Sequence, residues 1–251
     1  MSNLFDLTGR TALVTGANTG LGQGIAVALA RAGADIVAAG RSDASETGRL
    51  VQDTGRGFLF VQADFGSTAD VQHAVDAAVG FRGRLDIVVN NAGIIRRADS
   101  VDVTEEDWDA VVDTNLKSVF FLSQAAARHM ADNGGGKIIN IASLLSFQGG
   151  IRVPAYAASK SGVAGLTHAL ANEWAAQGIN VNAIAPGYFE TNNTAPLRGD
   201  ANRAPAILAR IPAGRWGVPD DLAGAAVFLA SAASDYVHGI VLPVDGGWLA
   251  R

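Results

Sequence analysis

A tyrosine and a lysine four positions apart, Tyr156 and Lys160, stand in the predicted helical segment Pro154–Gln177. Residues i and i+4 of a helix share one face, so the phenol and the ammonium would lie side by side. A free phenol has a pKa of about 10, and a neighbouring positive charge lowers it toward the range of a useful acid or base. The pair therefore predicts proton transfer at a substrate oxygen, although this spacing also occurs by chance in many helices.

A serine precedes this pair by thirteen positions and follows a predicted strand. The Ser143 hydroxyl can hydrogen-bond a substrate oxygen and fix it against Tyr156. In the reductive direction a hydride would reach a carbonyl carbon while Tyr156 donates a proton to the carbonyl oxygen. A lone serine is more often a helix cap, so this prediction depends on all three residues meeting.

A glycine-rich turn, Gly16–Gly22, follows the first predicted strand and leads into the predicted helix Leu21–Ala32. Glycines allow a tight turn and a close approach of the backbone to a pyrophosphate. The N-terminus of a helix directs unpaired N–H groups and a positive dipole end toward such an anion. Many turns contain glycine for packing alone, but a position between strand and helix favours dinucleotide binding.

The elements that must position these residues alternate along the chain. Helical segments such as Leu21–Ala32 and Trp108–Ala131 separate short apolar runs, which are continuous, as in parallel strands buried on both faces. The pattern predicts an α/β class: a single-domain Rossmann fold with a doubly wound, seven-stranded parallel sheet and helices on both faces. Ligands would bind at the carboxyl ends of the strands, where the strand order reverses. The predicted strands are Thr11–Thr15, Asp35–Ala39, Phe58–Gln62, Leu85–Val89, Lys137–Ile141, Ile179–Ile184 and Gly239–Pro243.

Residues 188–218 do not follow this alternation. They contain Pro196, Pro205 and Pro212 together with four arginines, between a predicted strand and the next helix. A connection of this length is usually functional or disordered. We expect one catalytic domain over residues 1–251 with a substrate lid at about 188–218; the alternative is a merely solvated insertion.

Composition excludes several classes of function. The 251 residues carry a net charge of −5, which disfavours nucleic-acid and anionic-membrane partners. Cysteine is absent, so the chain has no disulfide framework, thiolate zinc site or cysteine nucleophile, and we expect no metal site. The first residues lack the regions of a signal peptide, and no apolar stretch is a clear membrane span. We expect a cytoplasmic enzyme.

The spacing of the glycine turn, TGxxxGxG, resembles that of the short-chain dehydrogenase/reductase family. The resemblance covers essentially the whole chain, because the remaining motifs follow in family order: Asn90-Asn91-Ala92-Gly93, Ser143, Tyr156-Ala157-Ala158-Ser159-Lys160, and Pro186-Gly187 with Thr191. It implies an NAD(P)-dependent oxidoreductase. The implied catalytic residues are Asn115, Ser143, Tyr156 and Lys160.

The same resemblance gives further roles. Lys160 would also hold the nicotinamide ribose, Asn115 would support a water in the proton relay, and Asp64 would contact the adenine. A cap for the helix after Ser67 is the alternative role of Asp64. The predicted cofactor residues are Gly16, Asn18, Thr19, Gly20, Leu21, Arg41, Asp64, Phe65, Asn91, Ala92, Gly93, Tyr156, Lys160, and the carboxamide-binding Pro186, Gly187, Phe189 and Thr191.

The end of the second strand bears on the choice between NAD and NADP. An acidic residue that binds the adenosine ribose would favour NAD, but this position reads Gly40, followed by Arg41. Arg41 can pair with a 2′-phosphate, whereas Thr19 stands where NADP-preferring relatives often carry a basic residue. We favour NADP(H) slightly; an ordinary exposed role for Arg41 is the alternative.

Sequences around the shared motifs resemble the sugar-acid dehydrogenases of the family, which act on keto-deoxy sugar acids. Arginines near the expected mouth suit a carboxylate, and amides suit hydroxyls, although surface arginines are usually only solvated. We therefore expect hydride transfer between a nicotinamide cofactor and a hydroxyl or keto group of a deoxy-keto sugar acid. The predicted substrate residues are Arg96, Ser143, Gln148, Arg152, Tyr156 and Asn193, with Arg97 and Asn192 nearby.

Two other functions stay open. One is a reductase of 3-oxoacyl chains or of another small ketone; the other is a nucleotide-sensing protein that keeps the fold without catalysis. The family resemblance also implies a homotetramer built from long helices that include Trp108–Ala131 and Pro154–Gln177. We expect the tail Gly246–Arg251 near a neighbouring subunit.

Overall fold

The structure, a computed structural model, describes residues 3–251. Over these residues seven strands form one sheet, and every strand pair in it is parallel. All eight residues of the sixth strand are buried, which explains why the apolar runs do not alternate with polar residues. The strands are Thr11–Thr15 (β1), Asp35–Gly40 (β2), Phe58–Gln62 (β3), Ile87–Asn90 (β4), Gly136–Ile141 (β5), Ile179–Pro186 (β6) and Val241–Val244 (β7).

The strand order β3-β2-β1-β4-β5-β6-β7 reverses between β1 and β4. The connections that leave these two neighbouring strands run in opposite directions, so a crevice opens above their carboxyl ends. Thr15 ends β1 and Asn90 ends β4, which places the glycine turn and the segment after Asn90 on the two sides of this opening. The predicted fold class and the predicted reversal are confirmed.

Helices cover both faces of the sheet. Ile25 of the first helix and Leu229 of the last belong to one buried cluster, whereas Leu122 and Leu170 belong to a second cluster on the opposite face. Within residues 3–251 no helix combines the length and apolar character needed to cross a membrane. The α-helices are Gly20–Arg31 (α1), Ser45–Gln52 (α2), Ala69–Arg82 (α3), Glu105–Val112 (α4), Ser118–Asp132 (α5), Pro154–Trp174 (α6), Ala195–Arg198 (α7), Arg203–Arg210 (α8) and Ala223–Ala230 (α9).

The segment that we predict as one helix, Trp108–Ala131, is interrupted. A π-helical turn, Asp113–Lys117, joins α4 to α5, and the side chain of Asn115 in this turn is completely buried. π-helical turns are rare and are found mostly at functional sites. The interruption lies at the residue that the family motifs identify as part of the proton relay.

Residues 188–218 form a folded excursion closed at its base. Phe189 and Gly217 form a bridge in which the Gly217 N–H donates to the Tyr188 carbonyl at 2.9 Å. The excursion contains α7 and α8, and two of its apolar side chains, Ile207 and Ile211, are buried. The segment is therefore a structured unit packed on the rest of the chain.

Candidate active site

The glycine turn between β1 and α1 is built for close backbone approach. Gly16 and Gly20 have φ angles of +63° and +59°, a region that favours glycine. A Cβ atom on Gly22 would lie 2.3 Å from the Gly16 carbonyl oxygen and 2.4 Å from Asn91 Nδ2. Thr19, which precedes α1, makes no side-chain cap, so the first N–H groups of α1 stay available for an anion.

The loops after β1 and β4 are braced against each other. Thr15 Oγ1 accepts hydrogen bonds from the backbone N–H groups of Asn91 and Ala92 at 3.0 and 2.9 Å. In the opposite direction, Asn91 Nδ2 donates to the carbonyls of Thr15 and Gly16 at 2.8 and 3.1 Å. The brace fixes the width of the opening between these loops.

The adenosine end of the opening carries no acidic residue at the end of β2. Gly40 is followed by Arg41, which is exposed and, within residues 3–251, pairs with no carboxylate. Asp64 is exposed as well, and its Oδ1 accepts from the Gly66 N–H at 2.9 Å. Thr68 precedes α3, so Asp64 does not have the capping role considered as its alternative.

The three residues predicted for proton transfer meet where β5 ends and α6 begins. Burial raises the pKa of Tyr156, and the polar side chain of Ser143 and the positive charge of Arg97, which lower it, offset this only in part. Ser146 holds the serine loop to α6, because its hydroxyl accepts from the Ser143 N–H at 3.3 Å and donates to the Lys160 carbonyl at 2.6 Å. Ser146 is a positioning residue that the motifs did not identify.

Lys160 is a buried cation beneath the tyrosine. Its side chain is only 4% exposed, and burial lowers its pKa to about 8. Nζ donates to the Ile141 carbonyl at 2.6 Å and lies 5.7 Å from the centroid of the Tyr156 ring. At neutral pH the ammonium form prevails and favours the phenolate of Tyr156.

Asn115 uses its whole side chain in local hydrogen bonds. Oδ1 accepts from the Ile94 N–H at 2.8 Å, and Nδ2 donates to the Ile94 carbonyl at 2.9 Å and to Ser159 Oγ at 3.3 Å. Ser159 Oγ in turn donates to the Tyr156 carbonyl at 2.8 Å. The asparagine thus ties the π-helical turn to α6 and to the segment after β4.

These loops enclose one continuous crevice above the carboxyl ends of the strands. It reaches from the glycine turn and Arg41 at one end to Tyr156 and Lys160 at the other. Fifteen of the predicted site residues line it: Gly16, Asn18, Thr19, Gly20, Leu21, Arg41, Asp64, Phe65, Asn91, Ala92, Gly93, Tyr156, Lys160, Thr191 and Asn193. It is also lined by Gly22, Gly40, Ser42, Ala63, Ile94, Thr114, Ile141 and Asn192, which the predicted set omits. Four of these eight omitted residues, Gly40, Ser42, Ala63 and Ile141, lie at or just after a strand end, and counting onward from each strand would have found them.

Three residues predicted to hold the nicotinamide, Pro186, Gly187 and Phe189, do not line the crevice. Gly187 follows β6, and a Cβ atom there would lie 2.6 Å from Asp245 Cα. Phe189 is 3% exposed, and its ring packs against Gly217. Pro186 ends β6 in the buried sheet, so of this motif only Thr191 lines the crevice itself.

The residues predicted for substrate binding are dispersed. Arg96 pairs with Asp107 at 3.3 Å, and Arg152 pairs with Asp99 at 3.0 Å. Gln148 Oε1 accepts from side chains of the 188–218 excursion and of the tail. The structure does not bring these three into the crevice lining, where Asn193 alone accompanies Tyr156.

Arg97 differs from its two predicted neighbours. Within residues 3–251 no carboxylate pairs with it, and its charge acts on Tyr156. Its sequence signal, an arginine just after the Asn-Ala-Gly motif, is the same as that of Arg96. Only the ion pair of Arg96 distinguishes the two.

The fold and this crevice define a nucleotide-dependent oxidoreductase, and the chain belongs to the short-chain dehydrogenase/reductase family. A family model described as enoyl-(acyl carrier protein) reductase matches residues 16–249. The chain is 59% identical to 2-dehydro-3-deoxy-D-gluconate 5-dehydrogenase of Escherichia coli K12, with 98% of each chain covered. These matches confirm the predicted enzyme class and the resemblance to sugar-acid dehydrogenases.

Two crystal structures give the same result. One, proposed to be a 2-deoxy-D-gluconate 3-dehydrogenase from Agrobacterium tumefaciens with bound NADP, is 62% identical with a TM-score of 0.94 and full coverage of both chains. The other, a gluconate 5-dehydrogenase from Burkholderia cenocepacia in complex with NADP and tartrate, is 44% identical with a TM-score of 0.94. It covers 99% of this chain and 98% of its own.

Proposed function

We propose that the chain transfers hydride between NADP(H) and a hydroxyl or keto group of a deoxy-keto sugar acid. The substrate would be of the 2-deoxy-D-gluconate or 2-dehydro-3-deoxy-D-gluconate type, as the names of the similar enzymes indicate. The observation that carries the proposal is the position of Arg97. This cation has no carboxylate partner in residues 3–251, and its positive charge lowers the pKa of Tyr156. A sugar acid brings the missing carboxylate.

The crevice fits a dinucleotide with a 2′-phosphate. The glycine turn leaves no room for a Cβ at Gly22, and α1 directs its free N–H groups toward the same space. The end of β2 has Gly40 in place of a carboxylate that would repel a phosphate, and the following Arg41 can pair with one. When bound there, the cofactor supplies or accepts the hydride, and two similar crystal structures contain NADP.

Proton transfer would follow from the three residues at the end of β5 and the start of α6. Since burial raises the pKa of Tyr156, its phenol is protonated at neutral pH and can donate to a carbonyl oxygen held by Ser143. The Lys160 ammonium then stabilises the phenolate that remains. In the oxidative direction the phenol must first release its proton, and the phenolate that the Lys160 ammonium stabilises then accepts the proton of the substrate hydroxyl.

Asn115 would act through its main chain. Its side-chain amide is already bonded to Ile94 and Ser159, so it has little capacity left to hold a relay water. The π-helical turn changes the backbone hydrogen-bonding pattern around this residue. We assign the support of the water to the Asn115 carbonyl.

Arg97 would bind the substrate carboxylate and so orient the reacting carbon toward Tyr156. Charge-assisted hydrogen bonds from a guanidinium are strong and geometrically specific. Arg96 and Arg152, which we also predict at the substrate, are engaged with Asp107 and Asp99, and they would support the carboxylate electrostatically. Gln148 would act through its contacts with the excursion, and Asn193 through direct hydroxyl contacts.

An acyl-chain reductase is the second candidate, favoured by the description of the matching family model. An acyl chain requires an apolar surface beside the reacting carbon, whereas here the positive charge of Arg97 acts on the proton donor Tyr156. This charge favours an acidic substrate.

A substrate panel tests both candidates and the cofactor together. Keto-deoxy sugar acids and a 3-oxoacyl thioester would be reduced with NADPH and with NADH in parallel, and Tyr156→Phe would serve as the inactive control. We expect turnover of the sugar acids, with NADPH preferred. Turnover of the thioester alone would overturn the proposed substrate, and undiminished turnover by Tyr156→Phe would overturn the role of Tyr156. Binding of NADPH without turnover of any substrate would point to a non-catalytic nucleotide-binding protein.

We infer one catalytic domain over residues 1–251, a substrate lid at residues 188–218 and a cytoplasmic location, with neither nucleic acid nor membrane as partner. A homotetramer is supported by the exposed side chains of Trp108 on α4 and Phe121 on α5, which an interface between copies would cover. Sedimentation equilibrium measures the number of copies directly.

A further inference from the structure

Three segments that are distant in sequence meet beyond the catalytic serine. They are the turn Leu144–Ser146 with its following residues, the helix α8 of the excursion, and the tail Gly246–Arg251. Trp248 of the tail is only 4% exposed and belongs to one buried cluster with Leu144 and Ile207. A tail residue thus packs on the neighbour of Ser143 and on the excursion together.

Polar contacts join the same three segments. Gln148 Oε1 accepts from the Trp248 indole Nε1 at 3.3 Å and from Arg210 Nη2 at 3.4 Å. The Arg210 guanidinium also lies over the Trp248 ring, 4.0 Å from its centroid, in a cation–π contact. One amide oxygen therefore receives a donor from the excursion and another from the tail.

The backbone of the tail is shaped to reach the excursion. Gly247 has a φ of +89°, and a Cβ atom there would lie 3.0 Å from Pro212 Cγ. The Ala213 N–H donates to the Gly246 carbonyl at 2.9 Å, and the Arg251 guanidinium donates to the Ala209 carbonyl at 3.2 Å. The tail is thereby attached to residues 209–213 at several points.

We propose that the tail is a latch for the lid, with Trp248 as its positioning residue. The inference rests on the proposed function, because a lid must move away to admit a sugar acid and return to enclose it. In the closed position Trp248 clamps Arg210 and packs on Leu144, so lid closure and the placement of Ser143 are secured together. Gln148 has its role in this latch and not in direct contact with a substrate hydroxyl.

The latch sets the fraction of molecules in the closed, competent form. When a variant lowers that fraction, the apparent affinity for the substrate falls by the same factor. The cofactor binds mainly through the loops after β1, β2 and β4. The tail contacts the lid at residues 209–213, whereas the cofactor residues Phe189 and Thr191 lie at the base of the lid, where Phe189 forms its bridge with Gly217. We therefore expect a latch defect to raise the KM for the sugar acid and to leave the Kd for NADPH unchanged.

Two variants remove the latch from opposite sides, Trp248→Ala in the tail and Arg210→Met on the lid. We expect each to raise the KM for the sugar acid by about 10-fold and to change the Kd for NADPH by less than about 2-fold. Trp248→Phe keeps a ring for Arg210 and most of the packing but loses the bond to Gln148, so it should restore most of the wild-type KM. Arg210 lies on the surface, so its variant is informative even if Trp248→Ala folds poorly.

Limited proteolysis gives a readout that needs no substrate. Trypsin cleavage after Arg198 and Arg203, on either side of the α7–α8 connection, should accelerate about 10-fold in both latch variants, because an open lid exposes this chain. Unchanged cleavage in folded Trp248→Ala and Arg210→Met would overturn the latch. If no sugar acid is turned over while cleavage still accelerates, the proposed substrate fails and the latch stands.

Discussion

The cofactor half of the crevice and its substrate rim are built on different principles. In the cofactor half the lining is largely backbone, glycine and small side chains at strand ends, and the brace between Thr15 and Asn91 fixes its width. At the rim, charged side chains on loops pair with whichever carboxylate lies near, as Arg96 does with Asp107. The first half is determined by sheet topology, the second by local side-chain partners.

This difference explains which residues the sequence locates. Parallel strands and their order dictate where the segments after β1 and β4 must meet, so motif order alone places the dinucleotide turn. The sequence pattern does not indicate that Arg96 has an ion-pair partner, or that Arg97 has none among the described residues. Side-chain pairing across loops depends on loop conformation, which the sequence pattern does not determine.

Tyr156→Phe tests the point where the two halves join. The ring and its packing remain, but the proton donor is lost, so we expect kcat to fall by about 10²- to 10⁴-fold. Binding of NADPH should stay within about 2-fold of the wild type, since the cofactor half is undisturbed. Stopped-flow hydride transfer and a fluorescence titration of NADPH measure the two effects separately. A loss of NADPH binding comparable to the loss of kcat would show that the halves are not separable.

Gly22→Ala tests the backbone character of the cofactor half. The new methyl would meet the Gly16 carbonyl at 2.3 Å, and such overpacking costs about 1–3 kcal/mol of folding stability. Because the clash displaces the turn at Gly16, we also expect the affinity for NADPH to fall. Gly80→Ala is a matched control on α3, where a Cβ meets no atom within 4 Å. It should leave affinity unchanged and raise stability by about 0.5–1 kcal/mol. Equal affinity in the two variants would refute the close approach.

The same contrast runs through the sequence predictions. The continuous apolar runs predict each strand to within about two residues of its observed ends, because burial on both faces of a parallel sheet demands them. The interruption of Trp108–Ala131 was not predictable from periodicity, since it depends on the bonds between Asn115 and the Ile94 backbone. The sequence predicts Gln148 at the substrate, whereas its amide oxygen accepts from Arg210 and Trp248, because the hydrogen-bond partners of an amide cannot be inferred from sequence.

Lys160 tests whether burial, and not an ion pair, determines the pKa of a charged group in the cofactor half of the crevice. Its pKa of about 8 in the fold lies below the unperturbed value of 10.5, so the unfolded chain binds more protons between these values. Stability therefore rises with pH across this window, by about 2.5 kcal/mol between pH 7 and pH 10 for this group alone. Urea unfolding of the cofactor-free protein at pH 7, 8, 9 and 10 would measure it.

Lys160→Met is the reference for that titration, since it removes the buried ammonium and keeps an apolar side chain of similar length. The unfolding free energy of the wild type minus that of the variant should increase as the pH rises, because only the wild type gains stability when Lys160 is deprotonated. A difference that is constant from pH 7 to pH 10 would mean that the ammonium is solvated in the fold.

Arg97→Met and Arg96→Met compare two adjacent arginines of the rim. Loss of a charge-assisted hydrogen bond to a carboxylate lowers the binding affinity by about 10- to 100-fold. Arg97→Met should therefore raise the KM for a sugar acid by at least about 10-fold. Arg96 is held by Asp107, and its variant should raise the KM by less than about 3-fold, an effect of long-range charge alone. Steady-state kinetics at low and high salt would separate contact from long-range attraction.

The pair of variants also has a chemical control. A substrate analogue whose carboxylate is replaced by a primary amide cannot form the ion pair, so wild type and Arg97→Met should reduce it with similar KM values. If Arg96→Met raises the KM for the acid more than Arg97→Met does, the ion pair between Arg96 and Asp107 must open in the working enzyme. The substrate rim would then change its side-chain pairing when substrate binds, whereas the braced loops of the cofactor half would not. Equal effects of both variants would assign the carboxylate to a shared pair of arginines.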